Sequence, residues 1–220
     1  MNIYLVRHGR QSSTLCNVDV SLSAEGREQA KLAGRRLAAY DIDCIYTSDM
    51  LRAVETAELI KGELEAVYGR NLPFEIRHDI REYYCGDMEG LTIEEQQEKY
   101  GGFLEERELF RDVPYPGGES GQDVFDRFYP VLLEIARSGF QNVAVATHGG
   151  AIRAVLAGIF FGDEDRKLLF CRNMENTGIT ELRYNEENQV FYLERLNDYA
   201  HLERRPELLR RSWRKDLKET

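Results

Sequence analysis

Two of the four histidines in this 220-residue chain stand at matching places. His8 closes the apolar run Ile3-Tyr4-Leu5-Val6, His148 closes Val143-Ala144-Val145-Ala146-Thr147, and each is followed by glycine. In an open α/β sheet, ligands bind beyond the carboxyl ends of the strands, so two histidines at such ends can meet in one crevice. Arg7 adjoins His8, and Arg52 follows the short apolar run Cys44-Ile45-Tyr46-Thr47. Cations and imidazoles at three separate strand ends suit a preformed site for a phosphoryl group, whose oxygens accept paired guanidinium hydrogen bonds. Glu82 lies just past a fourth, weaker strand at Phe74-Ile76; a carboxyl placed there can act as a general acid. Position alone does not single it out among thirty-nine acidic residues.

The elements that would carry these residues alternate between β-branched runs and amphipathic stretches, the pattern of an α/β fold. Helices are expected from about Ser23, a suitable N-cap, to Tyr40, and over a stretch with Ala53, Ala57, Ile60, Leu64 and Val67 on one face. A third carries Val124, Phe128, Val131 and Ile135, with a kink or restart expected at Pro130. A fourth runs from Gly150 to about Phe160, and two late strands, Ile179-Tyr184 and Val190-Leu196, complete the sheet. Gly9 is expected to permit unusual backbone angles where the chain leaves the first strand. Residues 83–120 read as a lid-like insertion with a short helix around Ile93-Tyr100. From Glu203 onward, seven Lys or Arg face four acids, a tail that reads first as a solvated helix and second as a rim on the site or a subunit contact. With no repeat or low-complexity linker, a single domain over 1–220 is the simplest reading.

A net charge of −10 argues against nucleic-acid or membrane-surface binding through bulk charge. Four scattered cysteines, no secretory leader and no bilayer-length apolar run lead to the expectation of a cytoplasmic protein with reduced thiols.

Taken together, the motifs resemble the histidine phosphatase superfamily, which includes cofactor-dependent phosphoglycerate mutase and fructose-2,6-bisphosphatase. Arg7-His8-Gly9 is similar to its signature, and Leu22-Ser23, Gly26 and Gln29-Ala30 to its first helix. Ser48-Asp49-Met50-Leu51-Arg52-Ala53 with Thr56-Ala57 resembles the second helix. Glu82, Gly86, Glu89 and Gly90, then Pro116-Gly117-Gly118-Glu119-Ser120 and Thr147-His148-Gly149-Gly150, complete the set over roughly residues 2–182. The resemblance implies a three-layer α/β/α sandwich with a mostly parallel central sheet. It implies that His8 forms a phosphohistidine, that Arg7, Arg52 and His148 bind phosphoryl oxygens, and that Glu82 protonates the leaving alcohol, with no metal or other cofactor. The family's loop asparagine matches Asn17 after re-spacing, which makes Asn17 a possible substrate contact. Met88 stands where many relatives carry tryptophan, and Arg10 is either an extra cation for the substrate or a solvated loop residue. The acid-bearing segment Arg81–Gly90 looks more like the phosphatase branch, with a small phosphorylated metabolite as substrate; the alternatives are a phosphoglycerate mutase and a catalytically inactive binding module. A metal site on the two histidines lacks H-E-x-x-H, a cysteine pair or an adjacent carboxylate, and no phosphate-binding G-x-x-x-x-G-K-[ST] occurs. The physiological ester and the oligomeric state are not legible in the residues.

Overall fold

The computed structural model describes residues 1–108, 111–171 and 173–213. Six strands form one sheet: β1 (Asn2–Arg7), β2 (Cys44–Ser48), β3 (Phe74–Arg77), β4 (Asn142–Thr147), β5 (Ile179–Asn185) and β6 (Val190–Asp198). Their order is β3-β2-β4-β1-β5-β6. The first four run parallel, and β5 and β6 are added antiparallel at one side.

Alternation within the strands assigns each face its core. Ile3 and Leu5 with Val143 and Val145 face α4 (Gly121–Ala136) and α5 (Gly149–Phe161), through Phe128, Leu132, Ile152 and Val155. Tyr4 and Val6 with Ala144 and Ala146 face α1 (Ala24–Leu37) and α2 (Leu51–Tyr68), through Ala33, Leu37, Ile60 and Leu64. The sheet is thus covered by helices on both sides, the three-layer arrangement expected. Each fully buried Leu or Ile contributes roughly 1.5–3 kcal/mol through removal of apolar surface from water.

Local signals account for most helix ends. Ser23 caps α1 by accepting from the Gly26 N–H, and Ser120 with Asp123 forms a reciprocal capping box at α4. The kink or restart expected at Pro130 does not separate two helices: α4 continues from Gly121 to Ala136. Burial of Phe128, Val131, Leu132 and Ile135 on either side of the proline offsets the lost hydrogen bond, about 3 kcal/mol in an unsupported helix. The break falls in α3 (Ile93–Glu108) instead, at Tyr100, whose φ of −131° leaves the helical region just before Gly101-Gly102.

The tail is not the solvated helix of the first reading. It forms short turns at Ala200–Leu202 and Pro206–Leu208 and a helical turn at Arg210–Trp213. Leu202, Leu208 and Leu209 are buried against Leu32, and Gln29 of α1 donates to the Leu208 carbonyl at 2.7 Å. Residues 214–220 of the expected basic tail lie outside the described residues. No helix among the described residues is long and apolar enough to cross a membrane.

Candidate active site

The register of the parallel β1–β4 pair brings the two histidines together. Arg7 pairs with Thr147, so the next residue of each strand leaves the sheet at the same level. The rings of His8 and His148 lie 5.2 Å apart, centroid to centroid. Both are buried. Gly9, which follows His8, does not adopt a positive φ, so the expected unusual backbone angles are not its reason for being glycine. A Cβ there would lie 2.5 Å from the Gly26 carbonyl oxygen of α1, so close approach to that helix requires it.

The hydrogen bonds of His8 set its tautomer. Nδ1 lies 2.7 Å from the Gly9 carbonyl, an acceptor only, so Nδ1 carries the proton and Nε2 presents a lone pair. Arg52 Nε donates to that Nε2 at 3.3 Å. Burial, then the charges of Arg52 and Arg7, hold the His8 imidazole well below the usual histidine range, favouring the neutral ring. His148 is shifted the same way, by burial and then by Arg52, His8 and Arg7.

Arg52 is buried on the first turn of α2 and is held at both ends of its guanidinium. Nη1 donates to the Val18 carbonyl at 3.0 Å and Nη2 to Asn17 Oδ1 at 2.8 Å. Asn17, in the left-handed region with φ of 47°, in turn donates through Nδ2 to the Tyr83 carbonyl and Glu89, both at 2.8 Å. The re-spaced loop therefore does bring Asn17 to the cluster, where its contact is with Arg52. Arg10 forms an ion pair with Glu25 at 3.9 Å.

Glu82 is anchored at the N-terminus of α5. Its oxygens accept the N–H groups of Gly150 at 3.1 Å, Ala151 at 2.9 Å and Tyr83 at 3.2 Å. A helix N-terminus favours a carboxyl group at this place, and acceptor capacity remains for one more partner. Gly150 is obligatory here, since a Cβ would lie 2.4 Å from Glu82 Oε1.

Among the buried side-chain nitrogens with no hydrogen-bond partner in the described residues are Arg7 Nε and His148 Nδ1. Arg7 donates through Nη1 to the Met174 carbonyl, and His148 Nε2 meets Ser48 Oγ at 2.9 Å. Unpaired buried polar groups are rare, and two beside the same imidazole fit an anion bound between them. The six residues expected at the site, His8, Glu82, Arg7, Arg52, His148 and Asn17, thus gather around the carboxyl ends of the central strands β1, β4 and β2. No group of three or more His, Cys, Asp or Glu among the described residues is placed to hold a metal ion.

Several supporting residues were not anticipated. Asn176 Nδ2 donates to the His8 carbonyl at 3.0 Å, Thr177 N to the Arg7 carbonyl at 3.0 Å, and Thr56 Oγ1 accepts the Gly9 N–H at 3.0 Å. The polar Glu175-Asn176-Thr177-Gly178 run before an apolar strand was the available signal for the first two.

Comparison with known proteins shows the family of the chain. The family model of the histidine phosphatase superfamily (branch 1) matches residues 3–199, and the chain belongs to that family. A 2,3-bisphosphoglycerate-dependent phosphoglycerate mutase of Gloeobacter violaceus is 30% identical over 194 residues, covering 70% of this chain and 82% of the relative. Phosphoglycerate mutase-like protein 4 of Arabidopsis thaliana is 36% identical over 168 residues, covering 70% and 68%. Among solved structures, a mycobacterial glucosyl-3-phosphoglycerate phosphatase with inorganic phosphate superposes with a TM-score of 0.79 at 26% identity, covering 91% of this chain and 98% of that one. YhfR of Bacillus stearothermophilus gives 0.78 at 27%, covering 92% and 99%.

Proposed function

We propose that this chain is a metal-independent phosphatase that hydrolyses monoesters of small phosphorylated metabolites through a phosphohistidine on His8. The observation that carries the reading is the Nδ1–Gly9 hydrogen bond of 2.7 Å, which leaves a neutral Nε2 as the nucleophile beside Arg52.

In the proposed first step, the Nε2 lone pair forms a bond to phosphorus and the bond to the ester oxygen breaks. Glu82 donates its proton to the departing alkoxide. Arg52 exchanges its 3.3 Å contact with Nε2 for a phosphoryl oxygen, joined by Arg7 Nε and the free ring nitrogen of His148. These fixed donors favour the transition state because they need no reorganisation as charge develops. In the second step Glu82 takes a proton from water, whose oxygen attacks phosphorus and releases neutral His8 and inorganic phosphate.

The acid-bearing segment and the likeness to a solved phosphatase over 98% of its length support water as the acceptor. The names of the sequence relatives favour a second reading, transfer between hydroxyls of phosphoglycerate. Phosphate release from p-nitrophenyl phosphate, with and without His8→Ala, tests the nucleophile; a variant as active as wild type overturns it. Interconversion of phosphoglycerates dependent on 2,3-bisphosphoglycerate, with negligible hydrolysis of any ester, would replace the phosphatase reading by the mutase.

A further inference from the structure

Two thiols from distant parts of the chain meet beside the Asn17 anchor of Arg52. Cys16 lies on the loop between β1 and α1, and Cys85 follows Glu82 in the acid-bearing segment. Two backbone hydrogen bonds join these stretches: the Cys16 N–H donates to the Leu91 carbonyl at 3.0 Å, and the Gly90 N–H to the Cys16 carbonyl at 2.8 Å. Side chains close the same contact. The Tyr83 carbonyl accepts from Asn17 Nδ2 at 2.8 Å and from Cys85 Sγ at 3.6 Å. Glu89 Oε1 accepts from Asn17 Nδ2 at 2.8 Å and from the Cys85 N–H at 3.4 Å. Cys16 thus packs on the core cluster that contains Cys85, and the two thiols hydrogen-bond to each other.

The pair is chemically unequal. Cys85 is buried, and its single S–H proton has two acceptors, the Tyr83 carbonyl and the Cys16 sulfur. Cys16 is partly exposed. The hydrogen bond from Cys85 holds the Cys16 thiol below its ordinary range, against burial and the Glu89 carboxylate, and the charge of Arg107 adds to the lowering. The same bond, then burial, push Cys85 up. The thiolate is the nucleophilic form, so Cys16 is the attacking sulfur and Cys85 the resolving one. Burial pushes the Cys44 thiol up to about 11, which leaves it protonated at neutral pH.

We propose that Cys16 and Cys85 form a reversible oxidation site, which a hydroperoxide converts to a disulfide that weakens the neighbouring site through Asn17. The Cys16 sulfur takes one peroxide oxygen as the O–O bond breaks, giving a sulfenic acid and an alcohol. The Cys85 sulfur then displaces the sulfenic hydroxyl, which leaves as water with the Cys85 proton. Two thiols and one peroxide give one disulfide, one alcohol and one water; hydrogen peroxide gives two waters. The bond draws the sulfurs to about 2.05 Å, closer than hydrogen-bonded thiols stand, so one segment yields. Cys85 is wedged: a Cβ on Gly86 would lie 2.2 Å from the Pro116 carbonyl oxygen, and one on Gly118 2.3 Å from that of Tyr84. The loop with Cys16 therefore moves and takes Asn17 Oδ1 from Arg52 Nη2. The effect on turnover rests on the phosphatase reading.

The full chain, freed of reductant, is treated with equimolar hydrogen peroxide, capped with iodoacetamide and digested with trypsin. Peptides 11–27 and 82–99 should be recovered linked, and dithiothreitol should separate them. Turnover of p-nitrophenyl phosphate should fall roughly tenfold in kcat/KM, the size of a lost hydrogen bond to a charged group, and return with the reductant. C16S should match reduced wild type and keep its activity in peroxide; if it fails to melt cooperatively, C85S takes its place. No linked pair, a link to Cys44 or Cys171 in its stead, or a linked pair with unchanged turnover overturns the proposal. An equal loss in the peroxide-treated variant also overturns it, by placing the damage elsewhere. Calorimetric titration with inorganic phosphate reads the Arg52 site without turnover. If the reduced enzyme binds phosphate but hydrolyses no ester, the phosphatase reading fails; weaker phosphate binding by the linked chain then sustains the cysteine pair, and equal binding sinks it.

Discussion

His8 and His148 face each other because Arg7 and Thr147 are paired across two parallel strands, which sets the two rings 5.2 Å apart at the carboxyl ends of those strands. The sheet register, rather than either loop, is what makes them neighbours. Their environments nevertheless differ: His8 is fixed by a carbonyl that dictates its tautomer, and His148 by a hydroxyl that can donate or accept.

That difference predicts unequal effects of removal. His8→Ala should leave no measurable turnover of p-nitrophenyl phosphate. His148→Ala should retain the nucleophile and lose about 10²–10³ in kcat/KM, the size of one lost transition-state donor. Enzyme denatured at alkaline pH should still carry an acid-labile phosphoryl group in the His148 variant and none in the His8 variant.

Asn17 should act through Arg52. Removing its 2.8 Å bond frees Nη2, while Nη1 keeps its bond to the Val18 carbonyl. Asn17→Ala should lower kcat/KM about tenfold and Arg52→Ala at least 10²-fold. The double variant should resemble Arg52→Ala alone, since residues acting as a unit are not additive.

Gly150→Ala should separate activity from stability. The new methyl would stand 2.4 Å from Glu82 Oε1 and 2.9 Å from the Tyr83 ring. Displacement of the carboxyl from the α5 N-terminus should reduce kcat at least tenfold, while circular dichroism shows the same secondary structure with a melting temperature lower by a few degrees. An active variant would mean that Glu82 is not the proton donor.

Stability should fall as pH drops below about 6.5. His8 and His148 are held well below the usual range and His201 is pushed down to about 4, each chiefly by burial. Between the folded values and 6.5 the unfolded chain binds more protons, so acidification favours unfolding by up to about 1.4 kcal/mol per pH unit for each group. Glu164, raised to about 8 by burial and by Asp112, works in the opposite sense and removes about one proton from that difference. Urea unfolding should therefore show a net proton uptake that rises from about half a proton at pH 6.5 to about two at pH 5, and His201→Gln should reduce the value at pH 5 by about one.

Glu164 provides its own test. Its two oxygens are buried with no hydrogen-bond partner among the described residues. Because its folded value is raised, the stability it confers is present at low pH and lost as pH rises towards 8. Glu164→Gln should gain on wild type over that interval, reaching about 1–3 kcal/mol at pH 8.

The parts of this site that could be read from the sequence are those whose placement is local. His8, His148, Arg7 and Arg52 sit within a few residues of a strand end, and strand ends are marked by β-branched runs that stop at glycine or at a helix start. Asn176 and the Met174 carbonyl were not legible in the same way. They reach the site through the antiparallel pairing of β5 with β1, in contacts between residues more than 160 positions apart. A carbonyl acceptor has no residue type at all. Likewise Pro130 marked a break that packing on both sides of it overrode, while Tyr100-Gly101-Gly102, less conspicuous, marked the real one.

The start of α5 has one further consequence. His148, Gly150 and Ala151 are consecutive with the strand that faces His8, and the last two hold Glu82 by their own N–H groups. His148 and Glu82, a phosphoryl ligand and the proton donor in the proposed mechanism, thus ride on one stiff mechanical part. Drift of α5 carries both in step, so their spacing to each other survives motion that would detune residues mounted on separate loops.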